Sequence, residues 1–209
     1  MLTTTRRKIT IGPQDHGQKM SLKAFEFAKT EQGYHYELSR GYITVSEPAN
    51  LFHALMVAFI RNQFALHQHA NPDQIFVILT EMACKLLIPD WESERHPDIA
   101  VYLTKPKGKK DRTVWRTWFP ELVIEVLSPS SDHRDYVEKR DEYWTLGVKE
   151  YWIVDAKRAH VVMLRRGKSD WIEKRLGPDG VCETKLLQGF KLACKAIFDI
   201  TAEAGQDEE

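Results

Sequence analysis

Residues Glu121–Asp155 read ELVIEVLSPSSDHRDYVEKRDEYWTLGVKEYWIVD. The segment Leu122–Leu127 is nearly continuous in Val, Ile and Leu, the pattern of a strand buried on both faces. Pro129 forces Ser128 to be extended and ends that strand. Ser131 or Asp132 then caps a helix expected to run to about Leu146, and Gly147 is a natural left-handed stop. Tyr151–Val154 is a second buried strand. One residue breaks the pattern: Glu125 sits in the middle of LVIEVL, and a carboxylate inside an apolar strand is costly unless something pairs with it.

Upstream, Ile75–Leu79, Ala83–Ile88 and Asp98–Leu103 are short apolar runs bounded by Pro or charge, and read as strands. Asp98 follows Pro97 at the start of DIAVYL. If its strand neighbours that of Glu125, the two carboxylates converge and repel. A divalent cation relieves that repulsion, and all-oxygen ligands suit Mg²⁺ or Mn²⁺. Each acid alone has a plainer reading. An Asp at a strand start commonly serves a turn or cap, and a lone Glu can face water at a sheet edge or pair with an Arg.

The helix between the strands carries Tyr136, Val137, Tyr143, Trp144 and Leu146 as a broad apolar stripe at 100° per residue. Lys139 lies at the edge of the stripe, where it can bury its stem and extend its ammonium. Arg140 falls nearer the centre. Helix geometry therefore does not choose between the two cations.

Further out, YHYELSRGYITVSEP alternates on both sides of Ser39–Gly41 and predicts a hairpin. Ser21 caps a short helix before it, and Pro48 and Asn50 open a longer one toward His69, stopped by Asn71 and Pro72. Val161–Arg165 and Trp171–Arg175 predict an antiparallel pair around Arg166–Gly167. These signals place residues 20–200 in one domain, between a loose arm at 1–19 and a polar tail at 201–209.

The bulk properties are those of a globular chain. There are 209 residues, 43% hydrophobic and 29% charged, with 30 basic and 30 acidic side chains and a net charge of +0. That balance gives no support to nonspecific coating of nucleic acid, which favours a basic protein, but it leaves room for a local basic track. No apolar run approaches the length of a membrane helix, and MLTTTRRKIT is no secretory signal. Cys84, Cys182 and Cys194 are few, odd in number and widely spaced, which predicts reduced thiols and a cytoplasmic location. There is no Gly-rich phosphate loop, nucleophile elbow or Cys/His zinc pattern.

Asp98 after Pro97, FPELVIEVLSPSS, a Lys in the next helix and GVKEYWIVD together resemble the Uma-type restriction endonuclease family of the PD-(D/E)XK superfamily. SLKAFEF, YHYELSRGYITVSEP and His53 also match, and the resemblance runs from near Met20 to LLQGFKLACKAIF. It implies an α/β fold of the α+β mixed-sheet kind: a restriction-endonuclease-like core with flanking helices and an added N-terminal hairpin-helix region. It also implies that Asp98 and Glu125 bind a catalytic Mg²⁺ or Mn²⁺, that Lys139 supplies the positive charge, and that Glu37 is an additional acid near the site. The chain departs from the superfamily pattern at Leu127, where a Lys would stand on the strand. The resemblance assigns that role to Lys139.

The expected activity is metal-dependent endonucleolytic hydrolysis of nucleic acid, with DNA the expected partner. Lys105, Lys107, Lys109, Lys110 and Arg112, with Arg116 beyond, crowd the connection between the two acidic strands. Such a run is commonly a solvated loop, but here it offers phosphate contacts. Trp115 and Trp118 are packing residues or base-stacking ones. A homodimer is expected only by analogy with enzymes that cut both strands. Two other functions fit the same residues: a non-catalytic nucleic-acid-binding module, and a metal-dependent hydrolase of another substrate.

Overall fold

The computed structural model describes residues 9–108, 111–128 and 133–204. In chain order the first strands are β1 (Thr10–Ile11), β2 (Lys29–Thr30), β3 (His35–Ser39), β4 (Tyr42–Ser46), β5 (Val77–Leu79), β6 (Leu86–Ile88) and β7 (Ser93–Arg95). They are followed by β8 (Ile99–Tyr102), β9 (Leu122–Val126), β10 (Glu150–Asp155), β11 (His160–Arg166), β12 (Trp171–Leu176), β13 (Val181–Glu183) and β14 (Lys191–Ala193). The helices are α1 (Leu22–Glu26), α2 (Leu51–Ala70), α3 (Lys139–Thr145) and α4 (Cys194–Ala204). The chain divides into two compact units, one from Met1–Pro48 with Leu86–Arg95 and one from Ala49–Lys85 with His96–Glu209.

The first unit is built on a four-stranded sheet of order β4-β3-β7-β6, antiparallel throughout. The expected hairpin is β3–β4, turning through Arg40 and Gly41, both with positive φ. Ser21 caps α1 by accepting from the Ala24 amide. Strand β7 is polar in sequence yet fully buried. Its Arg95 donates to Glu37 Oε2 at 3.2 Å and to Ser39 Oγ at 2.7 Å, which compensates the buried guanidinium.

The second unit holds a six-stranded mixed sheet of order β12-β11-β10-β9-β8-β5. Strands β9 and β10 are parallel and the remaining pairs antiparallel. Pleat alternation divides the side chains between two faces. Ile99, Val101, Leu122, Ile124, Val126, Trp152 and Val154 share a core with Met56, Ile60 and Phe64 of α2 and Ile197 of α4. The alternate positions, Ala100, Val123, Tyr151 and Ile153, are equally buried. A sheet covered on both faces explains why LVIEVL and YWIV read as continuous apolar runs.

Asn50 caps α2 by accepting from the His53 amide at 2.9 Å, as its position before the apolar run predicts. Pro129, Ser131 and Asp132 lie outside the described residues, so the expected cap of the third helix does too. That helix begins as a π-helical turn, Arg134–Glu138, in which the Lys139 amide donates to the Arg134 carbonyl five residues back, and continues as α3. The three cysteines are free thiols, and all are buried.

Candidate active site

The register of β8 against β9 pairs Ile99 with Ile124, so one step further Asp98 stands beside Glu125. Both lie on the face of the sheet opposite Ile124. The Asp98 amide nitrogen is 3.4 Å from Glu125 Oε2. The Pro97 carbonyl accepts from the Glu81 amide at 2.9 Å, while Asp98 Oδ2 accepts from the Val126 amide at 2.7 Å. The Asp98 carboxylate thus satisfies an amide where the β8–β9 ladder ends, which fixes it at the strand terminus.

Helix α2 brings His53 to the same place. His53 Nε2 is 3.2 Å from Asp98 Oδ2 and 3.0 Å from the Val126 carbonyl oxygen. Two acceptors around one ring nitrogen place the proton there. Burial alone would lower the His53 pKa, but the hydrogen bond to Asp98, the charges of Asp98 and Glu81 and the Val126 carbonyl hold it above its ordinary value. Glu81 completes a triad: ligand atoms of His53, Glu81 and Asp98 lie within 4.8 Å of one another. Glu81 has φ of 29°, uncommon for a residue with a side chain. The oxygen donors here fit a divalent cation, since the carboxylates of Glu81 and Asp98 and the adjacent Val126 carbonyl are hard ligands. Sequence reasoning missed Glu81, and reached His53 only through the family resemblance. Glu125, the expected partner of Asp98, is not in this triad.

Glu125 is engaged through its other oxygen. Lys139 Nζ is 2.9 Å from Glu125 Oε1 and 2.8 Å from Asp135 Oδ1. The Tyr143 hydroxyl donates to the same Glu125 oxygen at 2.5 Å. Asp135, Lys139 and Tyr143 occur at every fourth position and all are buried. Tyr151 supports them: its hydroxyl donates to the Asp135 carbonyl at 3.0 Å, and its ring meets that of Tyr143 edge-on at 4.9 Å. Arg140 points elsewhere, 3.5 Å from Glu173 and 3.8 Å from Asp170, with its side chain 30% exposed. Of the two cations that helix geometry left open, Lys139 is the one that meets the acid of β9.

The described part of the basic connection lies away from this cluster. Glu37 belongs to the first unit, where it accepts from Arg95. The basic connection leaves β8 after Tyr102 and returns at Leu122, the end of the strand pair away from Asp98 and Glu125. At about 3.3 Å per residue, its near end is roughly 15 Å from Asp98. Lys109 and Lys110 lie outside the described residues. Arg112 opens a 3₁₀ turn ending at Arg116. Trp118 donates to the Thr104 carbonyl at 2.8 Å, and its ring lies tilted against that of Tyr102 with centroids 3.9 Å apart, so it packs the base of this connection.

The family model of Uma2, described as "Putative restriction endonuclease", matches residues 22–195. The chain belongs to the Uma2 family. Its fold is also that of a solved protein from Anabaena variabilis, described as "a putative nuclease belonging to DUF820". That structure aligns with a TM-score of 0.69 at 16% identity, covering 87% of this chain and 98% of the other. No curated protein matches the chain. Within the Uma2 match fall His53, Glu81, Asp98, Glu125, Asp135, Lys139 and Tyr143, so the cluster described above lies wholly inside the family's own segment. No helix among the described residues is long and apolar enough to cross a membrane.

Proposed function

We propose that this Uma2 protein is an endonuclease that hydrolyses DNA phosphodiesters with Mg²⁺ or Mn²⁺ bound at the ends of β8 and β9. The observation that carries the reading is the convergence of Asp98, Glu125 and Lys139, with His53 and Glu81 beside them. Asp98 and Glu125 would hold the ion, with Glu81 and the Val126 carbonyl as further oxygen donors. Such an ion polarises a phosphoryl oxygen, lowers the pKa of bound water and steadies the leaving group.

The protein's own groups do the rest. His53 donates to Asp98 and orients its carboxylate, as the partners of metal-binding carboxylates commonly do. The Lys139 ammonium, held between Glu125 and Asp135, supplies a preorganised positive charge where negative charge grows in the transition state. Glu37 and the basic run from Lys105 to Arg112 enter this reading as auxiliary groups, the first assisting the site and the second gripping phosphates. The proposed setting is the cytoplasm, with a homodimer if both strands are cut.

A substrate panel tests the assignment. Supercoiled plasmid, single-stranded DNA, RNA and a small phosphodiester are each incubated with Mg²⁺, Mn²⁺ or EDTA. Cleavage of DNA with either metal and none in EDTA is expected. Binding without cleavage would indicate a nucleic-acid-binding module, and hydrolysis of the small ester alone would indicate a different hydrolase.

A further inference from the structure

Glu125 Oε1 receives two donors from one helix: the Lys139 ammonium at 2.9 Å and the Tyr143 hydroxyl at 2.5 Å. The other oxygen, Oε2, is on the Asp98 side, 3.4 Å from its amide nitrogen. A carboxylate gripped in this way cannot rotate without breaking a charge-assisted hydrogen bond and a buried hydroxyl contact. Tyr143 is well suited to the grip. It is fully buried, and its ring is fixed edge-on against Tyr151. A two-oxygen mode of ligation would need Oε1 as well, against both donors.

We infer that Tyr143 is a positioning residue that, with Lys139, restricts Glu125 to one-oxygen coordination and so makes the site discriminate against Ca²⁺. This rests on the proposal that Glu125 is a metal ligand. Mg²⁺ and Mn²⁺ sites are octahedral, and a single oxygen from each carboxylate serves them. Ca²⁺ takes six to eight oxygens and readily uses a carboxylate through both. Removing the Tyr143 hydroxyl releases one constraint on Oε1. Mn²⁺ then loses a pre-set ligand, while Ca²⁺ gains access to a second oxygen.

The test is calorimetric titration of Mn²⁺ alone and of Ca²⁺ alone into wild type, Tyr143→Phe, Tyr102→Phe and Glu125→Gln. Tyr102→Phe is the structural control, since it also removes a buried tyrosine hydroxyl from the sheet, one that meets Cys84 Sγ rather than a carboxylate. Tyr143→Phe should bind Mn²⁺ about tenfold more weakly, the lower end for loss of a ligand's supporting partner. Its Ca²⁺ affinity should hold or rise, so the preference for Mn²⁺ narrows by the same factor. Tyr102→Phe should keep the wild-type preference. An unchanged preference in Tyr143→Phe overturns the inference, and so does an equal narrowing in Tyr102→Phe. If Glu125→Gln binds Mn²⁺ as wild type does, the underlying metal reading fails with it. Should Tyr143→Phe not fold, infrared difference spectra of the wild type with Mn²⁺, assigned through Glu125→Gln, decide the point. One-oxygen ligation widens the separation of the two carboxylate stretches; a narrowed separation overturns the inference.

Discussion

The Lys139 ammonium nitrogen lies 2.9 Å from Glu125 Oε1, and neither side chain is more than 7% exposed. The pair joins the helix after β9 to the C-terminal end of β9 itself. A strand position two residues beyond the Glu, which would place a Lys on the same face, is filled here by Leu127. The positive charge instead reaches the acid from the neighbouring helix, and Asp135 holds it there.

Lys139→Ala should therefore lower the single-turnover cleavage rate by about a hundredfold or more, the scale of losing one aimed electrostatic donor. DNA affinity should change far less. The variant should also melt earlier, because Glu125 and Asp135 lose a buried partner. Arg140→Ala is the comparison: its ion pairs are long and partly exposed, so its rate should stay near wild type. Rates are measured at saturating Mn²⁺ below either melting point. An inactive Arg140 variant beside an active Lys139 variant would reverse the assignment.

The sequence carried β9, β10 and the hairpins because their apolar and alternating patterns reflect directly which faces are covered. It also carried the adjacency of Asp98 and Glu125, since two acids that interrupt apolar strands need a common explanation. The choice between Lys139 and Arg140 was not legible from a stripe drawn at 100° per residue. The helix opens as a π turn at Arg134–Glu138, where a stripe drawn for a regular α-helix does not hold; Asp135 and Lys139 are buried while Val137 is 44% exposed. Strand β7 was invisible for another reason. Ser93, Glu94 and Arg95 are polar, and their burial depends on partners distant in sequence, such as Glu37. Glu81 carried no periodic signal; its place in the triad comes from a turn held by the Pro97 carbonyl.

The basic connection between β8 and β9 gives a prediction that depends on salt. If Lys107, Lys109 and Lys110 contact phosphates, replacing all three with Ala should weaken DNA binding. The plot of log affinity against log salt should become shallower by about 0.9 per lost contact. Fluorescence anisotropy across a salt series measures the slope. Identical slopes for parent and variant would show that the run is only a solvated loop.

A further prediction concerns acid stability at the end of β10. Burial alone would raise the Asp155 carboxyl, but the Arg158 side chain at 2.6 Å, the Arg158 amide at 2.9 Å and the Tyr136 hydroxyl at 3.1 Å outweigh it. The pKa is held below its usual value. A depressed carboxyl stabilises the fold above its unfolded pKa, and that contribution is lost as pH falls through the folded one. Asp155→Asn should thus be less stable than wild type at pH 7. The difference should shrink as pH drops below the ordinary carboxylate range. Urea denaturation at a series of pH values reads this out, and a gap that is constant with pH would exclude the ionic contribution.

The claim that the ends of β8 and β9 form a metal-dependent catalytic centre is tested most directly by Asp98→Asn. An asparagine oxygen can still accept from the Val126 amide, so the strand terminus is preserved while the charge is removed. Metal-stripped wild type and Asp98→Asn are compared on supercoiled plasmid across a Mn²⁺ titration, with folding confirmed by circular dichroism. The wild type should cut only when Mn²⁺ is present, and Asp98→Asn should be at least about a hundredfold slower at every metal concentration. Equal cutting by a folded Asp98→Asn protein, or wild-type cutting that persists undiminished in EDTA, would contradict the account.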